Sequence, residues 1–337
     1  YKIYLAQLLA IAVIVLLTFI NTRGVKEGKI IQTTFTISKL LALFGLIIFG
    51  FLLTKESFWS ANWETGLNAA KVTDASAGLE GISWTGIGGT ALLGAIAASM
   101  VGSVFSSDAW NNVTFIAGEI KNPKRNIGLS LFLGTLIVSA IYISTNLMYL
   151  YVLPLNQIAF PDEDRLAVAA AHVIFGNAGK AIIAILIMVS TFGCINGLVL
   201  AGARVYYTMA QDGLFFKNAG TLNRNAVPQW ALWAQCAVAC LLCLSGKYGD
   251  LLDMVSFVVV IFYVLTIAGI FILRKTRPQA DRPYKAFGYP LLPIIYIVMG
   301  ISFCTLLIWF KPQYTWPGMI ITLLGIPLYF LAVNARK

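Results

Sequence analysis

The chain has 337 residues, of which 59% are hydrophobic and only 11% are charged. Apolar runs of about 18 residues or more recur along it, so the composition excludes an ordinary soluble domain and indicates a helical membrane protein with several spans. The formal net charge of +10 lies mainly in the connections between these runs, so it does not indicate nucleic-acid binding.

Nine apolar runs have the length and composition of membrane-spanning helices. They fall near residues 3–20, 35–53, 88–118, 128–153, 179–210, 229–245, 250–273, 290–310 and 317–333. Prolines mark their ends, as is common where helices begin or stop: Pro154, Pro228, Pro290, Pro312 and Pro317. The sequence therefore predicts an all-α polytopic membrane protein with a single transmembrane domain over residues 1–337.

Lysine and arginine are unevenly divided between the two sets of connections. Fifteen lie in one set, at positions 23–29, 121–125, 217–224, 274–285 and 336–337, and seven lie in the other. Because cytoplasmic loops carry the excess of basic residues, the richer side is predicted to be cytoplasmic, with the C-terminus inside. The polar connection 54–87 is then an exterior loop, and residues 161–176 form a short exterior helix.

The third span contains a polar interruption. Residues 88–120 would be about 50 Å long as one straight helix, whereas the hydrocarbon core is about 30 Å thick. The segment FSSDAWNN, Phe105 to Asn112, places serine, aspartate and asparagine inside this run. These side chains compete for backbone hydrogen bonds, so the sequence predicts a helix that breaks here, as the substrate-binding helices of secondary transporters do.

Asp108 is the acidic residue of this break. A half-helix ending near Phe105 would point its carbonyl groups, and so the negative end of its dipole, at a cavity, which suits an ammonium group. An ionisable residue inside a span is costly and is interpreted by default as functional. The alternative is an aspartate that only holds neighbouring helices together through its hydrogen bonds.

Three other charged residues have alternative interpretations. Lys39, about one turn into the second span, either snorkels to the interface or places a fixed ammonium group where a coupling Na⁺ would sit, and we favour the second. Arg204, at the end of its helix, is adequately explained as an interface anchor. Glu119 is either a gate residue paired with a basic side chain or a solvated carboxylate, and both interpretations stay open.

The cysteines and the single histidine have ordinary explanations. All five cysteines fall in apolar spans, and Cys236, Cys240 and Cys243 share one helical face. Their spacing alone allows a metal site, but no histidine or carboxylate is near in sequence, so we favour small packing thiols. His172, in the exterior helix, is interpreted as a surface residue, with a proton relay as the alternative.

Several segments match one known pattern in the same order along the chain. FTISKLLAL and FSSDAWNNVTFIAGEIKNPKRNIGLSL come first, followed by GARVYYTMAQDGLF, RPYKAFGYPLLP and GIPLYF. On these segments the chain resembles the L-type amino acid transporter family of the amino acid–polyamine–organocation superfamily. The first two are similar to the family's fifth helix, with its lysine, and to its sixth helix with the loop after it.

The resemblance implies the inverted-repeat helical bundle of that superfamily, of which this chain would hold about nine helices, the family's helices four to twelve. On that register the first three helices precede Tyr1. They include the broken first helix that holds the substrate carboxylate, so we expect half of the substrate site to lie outside this sequence.

The resemblance also implies roles for individual residues. The substrate-binding set is Phe105, Ser106, Ser107, Asp108, Ala109 and Asn111. Phe105 stands where the family has its occluding aromatic gate, and Glu119 is the second gate candidate. The backbone carbonyls of Phe105 and Asp108 would receive the substrate's α-ammonium group, and Asn111 would line the cavity floor. Lys39 matches the lysine that stands in for a sodium ion in members that work without Na⁺.

The chain departs from the family at two positions of the break, where many members have two glycines. Asp108 recurs in a branch that handles dibasic as well as neutral amino acids, so it points to cationic substrates. Ala109 narrows the pocket by one methyl group, which argues against bulky aromatic substrates.

The leading hypothesis is therefore a Na⁺-independent amino acid exchanger or permease of the plasma membrane, working by alternating access on neutral and, through Asp108, cationic amino acids. A proton-coupled symporter, with Lys39 or Asp108 titrating, is the alternative within transport. A membrane-embedded transferase is the alternative from another class, and the lack of clustered carboxylates and histidines in the sequence argues against it.

We expect no enzymatic activity, no catalytic residue, no cofactor and no metal. The expected partners are an amino acid substrate and the lipid bilayer, not nucleic acid. The sequence leaves open whether an accessory subunit binds.

Overall fold

The computed structural model describes residues 4–24, 26–64, 66, 68–74, 83–114, 120–161, 165–245, 248–280, 282 and 286–334. Most of these residues are helical. In chain order the elements are α1 (Leu5–Thr22), α2 (Lys26–Leu53), α3 (Trp59–Trp63), β1 (Ala70–Asp74), β2 (Ser83–Gly86), α4 (Gly89–Ser106), α5 (Pro123–Val152), α6 (Leu155–Ala159), α7 (Leu166–Gln211), α8 (Gln229–Ser245), α9 (Tyr248–Thr276), α10 (Leu291–Phe310) and α11 (Pro312–Asn334).

Eight helices within the described residues are long and apolar enough to cross a membrane: α1, α2, α4, α5, α7, α9, α10 and α11. The ninth predicted span lies on α8, which is apolar but has 17 residues. At 1.5 Å per residue α8 is about 26 Å long, slightly less than the hydrocarbon core. The chain is thus an all-α polytopic membrane protein, as predicted.

Pro317 does not begin a helix, contrary to the prediction. The last helix, α11, already begins at Pro312 and contains Pro317 and Pro327 in its interior. Pro317 lies only about one and a half turns into the helix, and a proline there removes a single backbone hydrogen bond. Pro312, which has no N–H to lose at the first helical position, is the residue that begins the helix.

A glycine divides α7 into two segments. Gly176 has φ 69° and ψ −157°, which is not helical, so the helix changes direction there. Glycine adopts this positive φ readily because it has no Cβ atom. The segment before Gly176 begins at Leu166, later than the predicted exterior helix 161–176, and residues 162–164 lie outside the described part of the chain.

The connection 54–87 contains regular structure that covers one end of α5. Asn62, in α3, donates through Nδ2 to the carbonyls of Leu150 and Leu153, at 2.8 Å each, and accepts the N–H of Leu155 at 2.9 Å. It thereby satisfies carbonyls that the end of a helix leaves without partners. The strands β1 and β2 pair antiparallel beside it.

Buried apolar side chains hold the helices together in three groups. One group joins α2, α5 and α7, and includes Leu46, Met148 and Ile183. A second joins α4, α9 and α10, and includes Val101 and Phe257. The third joins the last part of α7 to α8. The end of α4 is therefore held by the second group, which sets the position of the break that follows.

Candidate functional site

The helix α4 ends at Ser106, in the segment where the sequence predicts the break. The hydroxyls of Ser106 and Ser107 both donate to the carbonyl of Ser103, at 3.1 and 2.6 Å. The N–H of Ser107 reaches the same carbonyl at 3.1 Å. The serine hydroxyls thus bind the same carbonyl as the last helical N–H, which is the local competition for backbone groups expected of these residues.

The turn after α4 passes through a strained alanine. Ala109 has a φ of 63°, in the left-handed region that costs a residue with a Cβ atom about 1–2 kcal/mol. The N–H of Asp108 donates to the carbonyl of Phe105 at 3.2 Å, and the N–H of Asn112 donates to the carbonyl of Ala109 at 3.1 Å. A glycine would adopt this φ without strain, so the alanine makes the turn less stable than a glycine would.

Asp108 is held by a tyrosine from a distant helix. The hydroxyl of Tyr263, in α9, donates to Asp108 Oδ1 at 2.5 Å and lies 3.5 Å from Asn111 Oδ1. A phenol has one proton to donate, so the shorter contact is the hydrogen bond and the longer one is weak. The ring of Trp110 packs edge-on against that of Tyr263, with centroids 5.8 Å apart.

The contact with Tyr263 sets the depth of the break. The apolar part of α9 runs from Leu251 to Thr276, and Tyr263 lies close to its middle. At 1.5 Å per residue it is about 18 Å from either end. The half-buried Asp108 therefore faces the middle of a span rather than a membrane surface. At that depth, exposed backbone is tolerated only where it lies beside a cavity or is buried in protein.

A second tyrosine reaches the end of α4 from α5. The hydroxyl of Tyr142 donates to the carbonyl of Ser106 at 2.7 Å. Phe105, next to it, has 38% of its surface exposed. The aromatic gate candidate and the last carbonyls of α4 thus lie at an open face of this part of the molecule.

Lys39 lies on the wall of a cavity of about 330 Å³ between α2, α5 and α7. Apolar side chains form most of the wall, and Tyr142 and Ser190 supply its hydroxyl groups. The side chain of Lys39 is half-buried and makes no hydrogen bond or ion pair with another described residue. Because Tyr142 both lines this cavity and binds Ser106, it joins the surroundings of Lys39 to the break.

Some of the residues singled out in the sequence fall elsewhere. Glu119, the second gate candidate, lies outside the described residues. His172 is exposed and its Nε2 lies 3.1 Å from Asn177 Oδ1. The cysteines are free thiols, and no group of three or more His, Cys, Asp or Glu side chains within the described ranges is placed to hold a metal ion.

The site contains two residues that the sequence did not point to, Tyr142 and Tyr263. Each is a hydroxyl inside an apolar run, and that polarity is the signal by which they could have been noticed. Tyr263 is 155 residues from Asp108, so no local spacing connects the two. Their role depends on how helices pack, which no pattern in the chain expresses.

Comparison with known proteins gives a consistent result. The family described as amino acid permease matches residues 1–331. The serine/threonine exchanger SteT of Bacillus subtilis (strain 168) is 29% identical over 341 residues, which cover 99% of this chain and 70% of the exchanger.

Two mammalian relatives are similar over the same extent. The large neutral amino acids transporter small subunit 2 of Mus musculus is 29% identical, over 97% of this chain and 58% of that protein. The b(0,+)-type amino acid transporter 1 of Homo sapiens is 25% identical, over 97% of this chain and 63% of that protein. The chain therefore spans about six tenths of the length of these mammalian relatives.

Proposed function

The chain belongs to the amino acid permease family, and we propose that the whole protein carries amino acids across the membrane as a sodium-independent exchanger or permease that works by alternating access. The observation that carries this proposal is the turn after α4, whose Asp108 meets Tyr263 near the middle of α9. Broken helices with a polar turn at this depth are the usual substrate sites of secondary transporters.

The end of α4 is suited to an ammonium group. The helix points its last carbonyls, and so the negative end of its dipole, toward the turn. The carbonyl of Phe105, expected with that of Asp108 to bind the ammonium group, accepts the N–H of Asp108, and the neighbouring carbonyl of Ser106 accepts the hydroxyl of Tyr142. A carbonyl oxygen has a second lone pair for a substrate N–H. We therefore assign the substrate's α-ammonium group to this end of α4, with Phe105 as the residue that covers it.

Asp108 is the candidate for reading the substrate's side chain. Tyr263 occupies its Oδ1, whereas Oδ2 has no hydrogen-bond partner among the described residues. A carboxylate oxygen placed in this way accepts hydrogen bonds from hydroxyl or cationic groups. One relative is named for the exchange of serine and threonine and another for the transport of large neutral amino acids. We propose neutral amino acids as substrates, with cationic ones admitted by Asp108.

Lys39 is proposed as the group that replaces a coupling sodium ion. Lys39 lines a largely apolar cavity, where a positive charge is costly and is therefore interpreted by default as functional. Tyr142 lines the same cavity as Lys39 and donates a hydrogen bond to Ser106, so it connects the surroundings of Lys39 to the substrate turn. On this proposal, the protein lies in the plasma membrane, and the set of connections rich in basic residues faces the cytoplasm.

The test is counterflow in proteoliposomes made with the complete protein. Vesicles in sodium-free buffer are loaded with unlabelled leucine or arginine, and the uptake of each radiolabelled amino acid is followed. We expect uptake to be accelerated by amino acid on the opposite side and to need no sodium. Arginine uptake tests the role of Asp108.

The opposite outcome has a defined meaning. If uptake requires an imposed pH gradient and does not respond to amino acid inside, the protein is a proton-coupled symporter and Lys39 is not an ion substitute. Family membership, in turn, gives no support to a membrane-embedded transferase, since permeases move their solutes unchanged.

A further inference from the structure

The connection between α9 and α10 concentrates positive charge. Five basic residues and one acidic residue fall between positions 274 and 285. We refer to its described residues, 274–280, 282 and 286–291, as the basic turn. Because the one acidic residue can neutralise only one basic residue, the connection keeps an excess of positive charge.

Two of its arginines hold the basic turn in shape. Arg282 donates through Nη1 to the carbonyls of Pro278 and Ala280, at 2.9 and 3.0 Å, and through Nη2 to the carbonyl of Arg277 at 2.6 Å. The guanidinium of Arg274 lies 3.5 Å from the centre of the Tyr289 ring. These contacts tie the described part of the basic turn to the end of α9, where Lys275 and Arg277 lie.

Lys275 and Arg277 are the basic side chains left for a partner. Both are exposed, and neither side chain makes a hydrogen bond or an ion pair with another residue of the described ranges. They lie at the last turn of α9 and at the residue after it, so both charges are at the same end of the helix. Both side chains are therefore accessible to a group of negative charge.

Large apolar side chains of the same basic turn are exposed. Phe287 has 82% of its surface exposed and Leu291 has 64%. An exposed aromatic ring next to basic residues is typical of surfaces that lie in the interfacial region of a membrane. The same turn thus offers both charge for a headgroup and apolar surface for an acyl chain.

The basic turn also lies at the right depth. The candidate span on α9 ends at Thr276, between Lys275 and Arg277, and its uninterrupted apolar run ends at Leu273. Because α9 is long and apolar enough to cross a membrane, we expect these two residues, at its charged end, to lie near the lipid phosphates. The predicted orientation puts them in the cytoplasmic leaflet, where anionic lipids attract basic segments next to a membrane span.

We propose that the basic turn binds anionic phospholipid. Lys275 and Arg277 contact the headgroup phosphate, Phe287 and Leu291 lie among the upper parts of the acyl chains, and Arg282 holds the turn in the binding conformation. This proposal does not depend on which solute the protein carries, so the transport experiments and the lipid experiment succeed or fail separately.

The test uses the complete protein purified in a mild detergent. Mixed micelles containing phosphatidylglycerol or phosphatidylcholine are titrated in, and retained lipid is counted by native mass spectrometry together with the thermal unfolding midpoint. We expect phosphatidylglycerol to be retained and to raise the midpoint more than phosphatidylcholine does. At about fivefold per basic residue, the double variant Lys275→Gln/Arg277→Gln should bind phosphatidylglycerol about 25-fold more weakly.

Two controls make the result specific. The variant Lys55→Gln/Lys71→Gln removes two exposed basic residues from the opposite set of connections and should bind phosphatidylglycerol as the wild type does. Soluble glycerol 3-phosphate should not raise the midpoint, because it offers no acyl chain. Equal phosphatidylglycerol binding by the wild type and the Lys275/Arg277 variant, or an equal loss in the control variant, would overturn the proposal. A midpoint shift with glycerol 3-phosphate as large as that with the lipid would do the same.

Discussion

Asp108 and Tyr263 come from the turn after α4 and from the middle of α9, and their side chains meet at 2.5 Å. A carboxylate inside a membrane span needs such a donor, because an unpaired charge there is costly. The hydrogen bond also turns Oδ1 of Asp108 toward Tyr263. Oδ2, which has no hydrogen-bond partner among the described residues, is then available to a substrate. At the scale of the residue, selectivity is therefore expected to depend on this pair.

Replacing Asp108 by asparagine tests the charge. Asp108→Asn keeps the size of the side chain and removes the carboxylate, so uptake of arginine or lysine should fall by about 30-fold, or about 2 kcal/mol, while leucine uptake changes little. Initial rates in proteoliposomes measure both. The exposed Asp212, at the end of α7, supplies the control variant Asp212→Asn. An equal loss for neutral and cationic substrates would contradict the proposed role in reading the side chain.

Replacing Tyr263 by phenylalanine tests the positioning of that charge. Tyr263→Phe removes only the hydroxyl that binds Asp108 and should reduce arginine uptake about tenfold in the wild type, but much less in the Asp108→Asn background. Tyr329→Phe is the matched control, since Tyr329 lies on α11 with 42% exposure and no hydrogen bond within the described ranges. Reductions that simply multiply in the double variant would mean that the two side chains act independently.

The helices α2, α5 and α7 form the element-scale unit around Lys39. They share one group of buried side chains and enclose the cavity that Lys39 lines. From this unit Tyr142 reaches across to the end of α4, which packs with α9 and α10. A change in the packing of α2 against α7 can therefore alter the substrate turn through the hydrogen bond of Tyr142.

Lys39→Met tests the proposed replacement of sodium at this scale. The substitution keeps an unbranched side chain and removes the charge, so sodium-free exchange should fall by about tenfold or more, because the state that needs a cation between α2 and α7 loses its stabilisation. Exchange rates with and without sodium measure this. Lys55→Met, an exposed site, should behave as the wild type does. Undiminished exchange by Lys39→Met would support the snorkelling interpretation.

Gly193 tests the packing of α2 on α7. A Cβ atom at this position would lie 2.7 Å from Phe35 Cβ, an atom too close to the backbone to move away cheaply. Gly193→Val should therefore destabilise the protein by about 1–3 kcal/mol and lower the thermal midpoint in detergent. Gly134→Val is the control, since a Cβ atom there meets nothing within 4 Å. A normal midpoint for Gly193→Val would show that the two helices separate without cost.

At the scale of the whole molecule, the two sets of connections between the spans differ in charge. One set of connections holds most of the basic residues, including the basic turn, while the other holds α3 and the β1–β2 pair. A half-buried ion pair between Lys311 and Asp253, at 2.8 Å, joins the corner between α10 and α11 to the start of α9. The pair lies in the set poorer in basic residues, where it links α9 to the two last helices.

The orientation can be tested on intact cells. An epitope placed after residue 337 should react with antibody only after the cells are permeabilised, and one inserted between β1 and β2 should react without permeabilisation, because basic connections are retained in the cytoplasm. Reaction of the first epitope on intact cells would reverse the topology. It would also move the basic turn to the opposite leaflet.

The sequence by itself determined the class of the protein, the approximate positions of eight of its nine predicted spans and the segment in which α4 ends. Apolar runs of membrane length predict helices because no other structure satisfies an isolated backbone segment in lipid. Serine and aspartate in FSSDAWNN indicate a helix end because their side chains compete for nearby backbone groups, and α4 does end at Ser106. These are local effects, which a local pattern can express.

Only the tertiary structure decided what surrounds the break. Tyr263 and Tyr142 are ordinary tyrosines in apolar runs until α9 and α5 pack beside α4 and bring their hydroxyls to Asp108 and Ser106. The same holds for Lys39, whose cavity exists only where three helices meet. Pro317 shows that a local pattern can also mislead. This proline lies about one and a half turns inside α11, but its sequence context predicts the start of a helix. Contacts between residues far apart in the chain depend on the summed packing of whole helices, and no single stretch of sequence contains that information.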